Sequence, residues 1–580
     1  MCGIISIGVV FKIRTKEMIM KLVFDIEANG LNELILDRKG NAIPSGTKVW
    51  CLVARDVETD KTYTYGPDEI SKGIQLLRDA ELIIGHNIIM FDKPMLERYY
   101  GPINTPTFDT LVVSRMMYPE KSNHPLGGNS LECWGREVGV EKLNYQHGWD
   151  VFTQEMMDYC IQDVKVNVKV YKAQQEFANK YPKPVWLEHN VTDIISEQTI
   201  NGIGFNLEAA EQLEFDLLIE KSSVEDSMRE IFPTKVEERH SEKTGKRLKD
   251  KITIFNPGSR KQIAERLSEK YNWKPPQTEK GNPKVDESVL KKLKYPEATM
   301  LVDYFNNTKL MGQVSDWVKR SEHSRDGRIH GSINPQGTVT GRMTASQPNL
   351  QQVSGDKRAR RLFVPRKGWV MLGADASGLE ARMLATHMMK YDDGAYANVL
   401  LNDDIHSVNQ KAAGLPSRDT AKTFFYGLIY GAGDAKIGKI VNQSSHVGRK
   451  LKESYFAKIP AIKKVIDDVK FQVAKKGTIT LLDGREVPCR SEHSSLNVQL
   501  QGDGAIVMKL AQVLLRKKMG TNPAKFMATV HDEWQMECYP DMADKLGQWA
   551  VDSIREAGEK LGCMQLDGEY RIGKDWSETH

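Results

Sequence analysis

Arg418-Asp-Thr-Ala-Lys422-Thr-Phe-Phe-Tyr426-Gly-Leu-Ile-Tyr430-Gly-Ala-Gly433 is the stretch from which the rest of the chain can be read. Arg418, Lys422, Tyr426 and Tyr430 recur every four residues. Each step of four advances about 40° around a helix, so the four side chains form one slowly drifting stripe. The other face carries Ala421, Phe424, Phe425, Leu428 and Ile429, a core composition. Two cations on successive turns, aimed into a cleft, suit a polyphosphate. Two flat rings beyond them suit a sugar and a base pair. The stripe reads as a seat for a nucleoside triphosphate laid along one helix. An amphipathic core helix with snorkelling Arg and Lys has the same spacing, so the flanking sequence must decide. Gly431-Ala-Gly433 ends a helix and does not follow a strand, which argues against a dinucleotide loop.

Upstream, Trp369-Val-Met-Leu-Gly-Ala-Asp375 reads as a buried strand ending in an acid, with a helix starting near Gly378 and carrying Glu380. An acid at a strand tip beside a backbone carbonyl suits Mg²⁺. His406, in Asp-Ile-His, follows a further helix. Residues 329–352 are rich in Gly, Thr, Asn and Gln and poor in apolar residues. There, Arg342, Asn349 and Gln352 offer donors to minor-groove acceptors, which differ little between base pairs. Downstream, Leu-Leu-Asp-Gly-Arg485 is a turn, and Asn497 and Gln501 follow it. Phe526–Cys538 reads as two strands around a tight turn with His531, Asp532 and Glu533 at its tip. An ordinary charged turn is the alternative, and the second strand-tip acid at Asp375 weighs against it.

In the N-terminal part, Lys21-Leu-Val-Phe-Asp25-Ile-Glu27 reads as a buried strand with both acids on one face. Side-by-side carboxylates repel unless a cation sits between them, although exposed strand acids are common without one. Leu82-Ile-Ile-Gly-His-Asn87-Ile-Ile-Met-Phe91-Asp92 reads as a second strand ending in an acid. Tyr159 and Asp163 lie one turn apart on a helix. Asp109 reads as a structural hydrogen-bonding acid. Residues 185–232 have a helical pattern, and the charged run 233–251 reads as a solvated loop. Ser259 is a candidate N-cap of a following helix. A basic-tipped helical pair up to about residue 320 fits a duplex-gripping element or a plain spacer. Met1-Cys-Gly-Ile resembles the start of amidotransferases that use an N-terminal cysteine, but no supporting domain follows. A short extension before a start at Met18 or Met20 is the expectation.

The 580 residues allow several domains. A formal net charge of +4 does not itself imply a nucleic-acid partner, because basic residues can be concentrated in one cleft. The seven cysteines form no CxxC pair, which argues against a zinc knuckle or a disulfide framework and fits a reducing compartment. No apolar run is long enough to span a bilayer, and residues 1–10 lack the cleavage site of a signal peptide.

Three motifs then fall in order behind a DEDD acid set: Asp-Ala-Ser-Gly-Leu-Glu (375–380), the 418–433 stretch, and Val-His-Asp-Glu (530–533). From about residue 21 onward the chain resembles a family A DNA polymerase of the short-tailed bacteriophage type, with an N-terminal DEDD-type 3′–5′ exonuclease. The resemblance implies an α/β and α+β multidomain chain, with a ribonuclease H-like exonuclease domain followed by a right-hand polymerase. The implied ranges are an extension over 1–20, exonuclease over 21–184, connector and thumb over 185–325, palm over 326–400, fingers over 401–475 and palm again over 476–580. It implies that Asp25, Glu27, Asp92 and Asp163 hold two Mg²⁺ ions, with Tyr159 orienting the attacking water. Asp375 and Asp532 would hold two more, Mn²⁺ being able to substitute, and Glu533 would support them. Arg418 and Lys422 would bind the triphosphate with His406 assisting. Tyr430 would pack near the templating base, and Glu380 would exclude a 2′-hydroxyl beside Tyr426. Arg342, Asn349, Gln352, Asn497, Gln501 and His531 would contact DNA.

The implied partners are primer–template DNA, deoxynucleoside triphosphates, a phage helicase–primase and a single-strand binding protein. No membrane partner is implied, and the location is the cytoplasm of an infected bacterium. No 5′-nuclease domain is expected ahead of the exonuclease. Residues 233–251 are short where some phage relatives carry a processivity insertion, so no thioredoxin clamp is expected. The competing functions are an exonuclease with a DNA-binding but non-synthesising C-terminal region, and a non-catalytic DNA-binding relic.

Overall fold

The computed structural model describes residues 20–30, 48–120, 124–324 and 326–580. Residues 1–19, including Cys2, lie outside the described residues. Met20, expected in the extension, packs against the first sheet, and its carbonyl accepts from Glu81 N at 3.0 Å.

The first unit is built on a five-stranded mixed sheet. Its centre is strand Lys21–Ala28, antiparallel to Val49–Asp56 and parallel to Leu82–Gly85. Leu22, Phe24 and Ile26 face one side and are buried against helix Ile70–Asp79. Asp25 and Glu27 face the other, toward helix Gln154–Lys180. The alternation of a half-buried strand therefore delivers both acids to one layer. Asp92 corrects the sequence reading. The strand stops at Gly85, and Asp92 opens helix Asp92–Tyr100. The chain turns at Asn87, which has φ +70, a left-handed conformation that Asn tolerates.

Helix Pro182–Asn201 links this unit to the rest of the chain. Its Glu188 is fully buried and pairs with Lys509 Nζ at 2.7 Å and Arg485 at 2.6 Å. A buried carboxylate between two cations fastens the linking helix to helix Ser495–Met519 and to the hairpin of strands Thr478–Thr480 and Glu486–Pro488. Helices Leu207–Ile231 and Pro296–His323 then pack side by side, with Ser259 capping helix Arg260–Tyr271 nearby, as expected.

The charged run 233–251 is not a loop. Strands Lys235–His240 and Arg247–Thr253 form a hairpin that turns through Gly245 at φ +66. Val236 pairs with Ile252 and Glu237 with Lys251, while Lys235 reaches Glu265 and Glu269. Alternating charges across a two-stranded ribbon look like a solvated coil when read one strand at a time.

The C-terminal half surrounds a four-stranded antiparallel sheet in the order Ala524–Val530, Glu533–Cys538, Val370–Ala376, Gly568–Gly573. Helices Ser495–Met519 and Ala543–Lys560 cover one face in the largest hydrophobic cluster. Helix Arg418–Ile429 buries Ala421, Phe424, Phe425, Leu428 and Ile429 in that cluster, as its stripe required. The border expected at 400 lies within helix Ala395–Asn402, and that at 475 within helix Pro460–Lys476. No described helix is long and apolar enough to cross a membrane.

Candidate active sites

The central strand of the second sheet carries Asp375, paired with Glu533 on one side and Glu569 on the other. Directly opposed residues share a face, so the register alone lines up these acids. The hairpin tip brings Asp532 beside them. His531 takes φ +58, as a tight two-residue turn requires, and Ala376 N donates to the Asp532 carbonyl at 3.1 Å. Asp375 is raised above the usual carboxylate range by desolvation, then by the charges of Glu569, Asp532 and Glu533. Asp532 is raised by desolvation and by Glu380, while Arg342 and His531 pull it down. Anionic repulsion of this kind is what a divalent cation relieves, so the donor set fits one. Glu533 is held from behind by Trp576 Nε1 at 3.0 Å and His580 Nδ1 at 2.6 Å. It is buried and engaged, which fits a supporting acid.

The two rings of the stripe stand beside this centre, where burial raises the Tyr426 pKa, helped by the charges of Glu380 and Asp532. The Tyr430 hydroxyl donates to Glu380 Oε1 at 2.9 Å, and Arg342 reaches the same oxygen at 3.2 Å. Tyr430 is thus tied to Glu380, and the Tyr426 ring lies 6.1 Å from it. Arg418 forms a two-pronged pair with Asp404, at 2.6 and 3.0 Å. Lys422 lies one turn further, exposed. His406 packs against Phe425 and Tyr426 with its Nδ1 buried and without a partner. Arg342, His531 and Asp532 line one pocket with Gly341 and Lys509. Asn349 caps its own turn by accepting from Gln351 N, Gln352 is exposed, and Gln501 is half-buried. Asn497 keeps a buried Oδ1 without a partner.

The second acid cluster lies in the first sheet. Ile26 N donates to Asp92 Oδ1 at 3.3 Å, which brings that carboxylate to the strand of Asp25 and Glu27. Helix Gln154–Lys180 supplies Asp163, whose Oδ1 is buried without a partner and whose Oδ2 meets Lys142 Nζ at 2.6 Å. Lys142 also lies 4.9 Å from the Tyr159 ring centre. Burial lifts Asp25 well above its usual range, followed by the charges of Asp92, Glu27 and Asp163. Burial also pushes Glu27 to about 9 and Asp92 to about 7. Four crowded acids with an orphaned oxygen and one ammonium fit divalent cations. Asp109 is structural, as expected. Its carboxylate accepts from the backbone of Asn87, Ile89, Leu111 and Val112.

Sequence reasoning missed Lys142, Asp404 and Glu569. Asp404 had a visible signal, two residues before His406. Lys142 had none, being a single residue in a loop, and Glu569 emerges only from strand register.

Paired strand-tip acids beside a helix that carries two cations and two rings suit nucleotide-polymerising enzymes, and comparison with known proteins gives the family. Residues 227–578 match DNA polymerase family A. The chain is 30% identical to the DNA-directed DNA polymerase of Enterobacteria phage T3, with 96% of this chain and 100% of that protein covered. It is 29% identical to that of Escherichia phage T7 over the same shares, and 27% identical to DNA polymerase I of Aquifex aeolicus over 90% and 92%. The POL domain of Pol1 from M. smegmatis, solved in complex with DNA primer-template and dNTP, superposes with a TM-score of 0.78 at 18% identity, covering 96% of each chain. The chain belongs to family A of the DNA polymerases and is a DNA-directed DNA polymerase.

Proposed function

We propose that this polymerase replicates phage DNA from a primer–template by nucleotidyl transfer at Asp375 and Asp532, and proofreads with a 3′–5′ exonuclease at Asp25, Glu27, Asp92 and Asp163. The observation that carries the reading is the presence of two crowded acid clusters on different sheets, with Tyr426 and Tyr430 of the stripe standing beside Glu380 and Asp532 at one of them. Residues 21–184 would form the exonuclease, 185–325 connector and thumb, 401–475 fingers, and 326–400 with 476–580 the palm.

Asp375 and Asp532 would hold two Mg²⁺ ions, which supply the charge that acidifies a primer 3′-hydroxyl and steadies the leaving pyrophosphate. Arg418 releases Asp404 and turns its fork to the triphosphate, with Lys422 and His406 beside it. Glu380, held by Tyr430 and Arg342, blocks space that a 2′-hydroxyl would need. Tyr430 stacks at the templating position once that bond opens. Arg342, Asn349, Gln352, Asn497, Gln501 and His531 follow the primer–template end. In the other cluster Tyr159 orients the attacking water, and Lys142 balances the acids until a cation arrives. Work inside an infected bacterium, beside a helicase–primase and a single-strand binding protein, suits relatives that are phage enzymes.

The test is trimming of a mismatched, end-labelled primer in Mg²⁺ without nucleotides. Asp25→Ala with Glu27→Ala is expected to abolish trimming and leave extension of a matched primer intact. Trimming that persists in the double variant contradicts the exonuclease assignment.

A further inference from the structure

The exonuclease acids have a neighbour that their role does not require. Cys160 follows Tyr159 on helix Gln154–Lys180 and lies three residues before Asp163, so the thiol and the Asp163 carboxylate sit on neighbouring turns of one face. The thiol is fully buried and sits 3.5 Å from the Asp25 carbonyl oxygen and 4.0 Å from Asp25 Oδ2. Its sulfur and one carboxylate oxygen each from Asp25 and Glu27 lie within 4.8 Å of one another. Cys51, also fully buried, stands opposite Glu27 in the strand pairing.

Magnesium and zinc answer this geometry differently. Mg²⁺ takes oxygen ligands and leaves a sulfur unused. A thiophilic cation accepts thiolate and carboxylate together, with bonds of about 2.3 and 2.0–2.2 Å. Ligand atoms around a tetrahedral ion then lie about 3.3–3.8 Å apart, which this trio reaches with sub-ångström movements. Three protein ligands leave a fourth position open.

We propose that Asp25, Glu27 and Cys160 form a mixed thiolate–carboxylate site for a thiophilic divalent cation of the zinc class, which competes with Mg²⁺ for the exonuclease centre. On binding, the cation displaces the thiol proton to solvent and takes the sulfur as a ligand. The polymerase acids are flanked by the His531 and His580 imidazoles but, among the described residues, by no thiol, so the two centres differ in the metals they prefer. Zinc then slows trimming at concentrations that leave extension untouched. The inference rests on the exonuclease reading for its consequence, while the site itself rests on geometry.

The probe is Co²⁺, whose bond to a thiolate gives a sulfur-to-metal charge-transfer band in the near ultraviolet. The full-length protein titrated with Co²⁺ is expected to develop that band. Zn²⁺ should bleach it stoichiometrically, whereas a large excess of Mg²⁺ should not. Cys160→Ser, shown folded by circular dichroism, should lose the band, and Cys563→Ser should keep it. Asp25→Asn with Glu27→Gln, a second variant that retains every thiol, should also lose it. A wild-type protein that binds Co²⁺ without the band overturns the proposal, as does a band that survives Cys160→Ser. Trimming in Mg²⁺ is scored separately. A band without trimming removes the exonuclease reading and keeps the metal site; trimming without a band does the reverse.

Discussion

At the scale of single residues, Glu380 stands beside the polymerase acids, held by both Tyr430 and Arg342. In the proposed role Glu380 blocks a 2′-hydroxyl, so replacing it with Ala would open that space. Discrimination against ribonucleotides should fall by at least about tenfold, roughly the 1–3 kcal/mol that one steric contact supplies. Competition between ribo- and deoxynucleotides in single-turnover extension measures it. Tyr430→Phe removes only the hydroxyl and should cost less. Asp109 makes the opposite kind of prediction. Its carboxylate satisfies several backbone donors in the turn that leads to Asp92 and at the start of helix Thr110–Met117. Asp109→Ala should destabilise the first unit by about 3 kcal/mol, read as a shift in urea midpoint. Both residues were singled out from the sequence, Glu380 through the family resemblance and Asp109 as a structural hydrogen-bonding acid. Lys142 was not, because a lone cation in a loop has no periodicity to mark it, and only the fold brings it to Asp163.

At the scale of elements, helix Pro182–Asn201 is held by Glu188 between Lys509 and Arg485. Removing the carboxylate leaves Lys509 buried without its partner, while Arg485 keeps Asp483 at 2.7 Å, so Glu188→Ala should cost about 3–5 kcal/mol. Burial alone would raise the Glu188 pKa, but Lys509 and Arg485 outweigh it and hold it below the usual range. A folded pKa below the unfolded one means that this stabilisation is complete above about pH 4.3 and fades as pH falls through the folded value. Glu188→Gln should therefore lower the melting temperature at neutral pH and flatten its fall on the acid side. Melting curves from pH 3 to pH 7 decide it, and parallel slopes for the two proteins contradict it. The linking helix was visible as a helical pattern, but its ionic fastening joins residues some 300 positions apart, as with Glu188 and Lys509. Such separation leaves no local trace. The hairpin at Lys235–His240 and Arg247–Thr253 was misread for a related reason: its evidence is the pairing of two strands, and neither strand looks apolar alone.

At the scale of the molecule, the chain separates two anionic centres onto two sheets. The motifs made both centres legible, since strand-tip acids and a four-residue stripe survive in sequence. Their assignment to separate domains was expected from the family resemblance, whereas the buried ionic fastening of helix Pro182–Asn201 between them had no trace in the sequence. The central claim is that synthesis belongs to Asp375 and Asp532 alone. The direct measurement is a paired assay on Asp375→Ala, following extension of a matched primer and trimming of a mismatched one in the same Mg²⁺ buffer. Extension should fall to background while trimming continues at the wild-type rate. Extension that survives the substitution, or a folded variant that loses both activities together, contradicts the assignment.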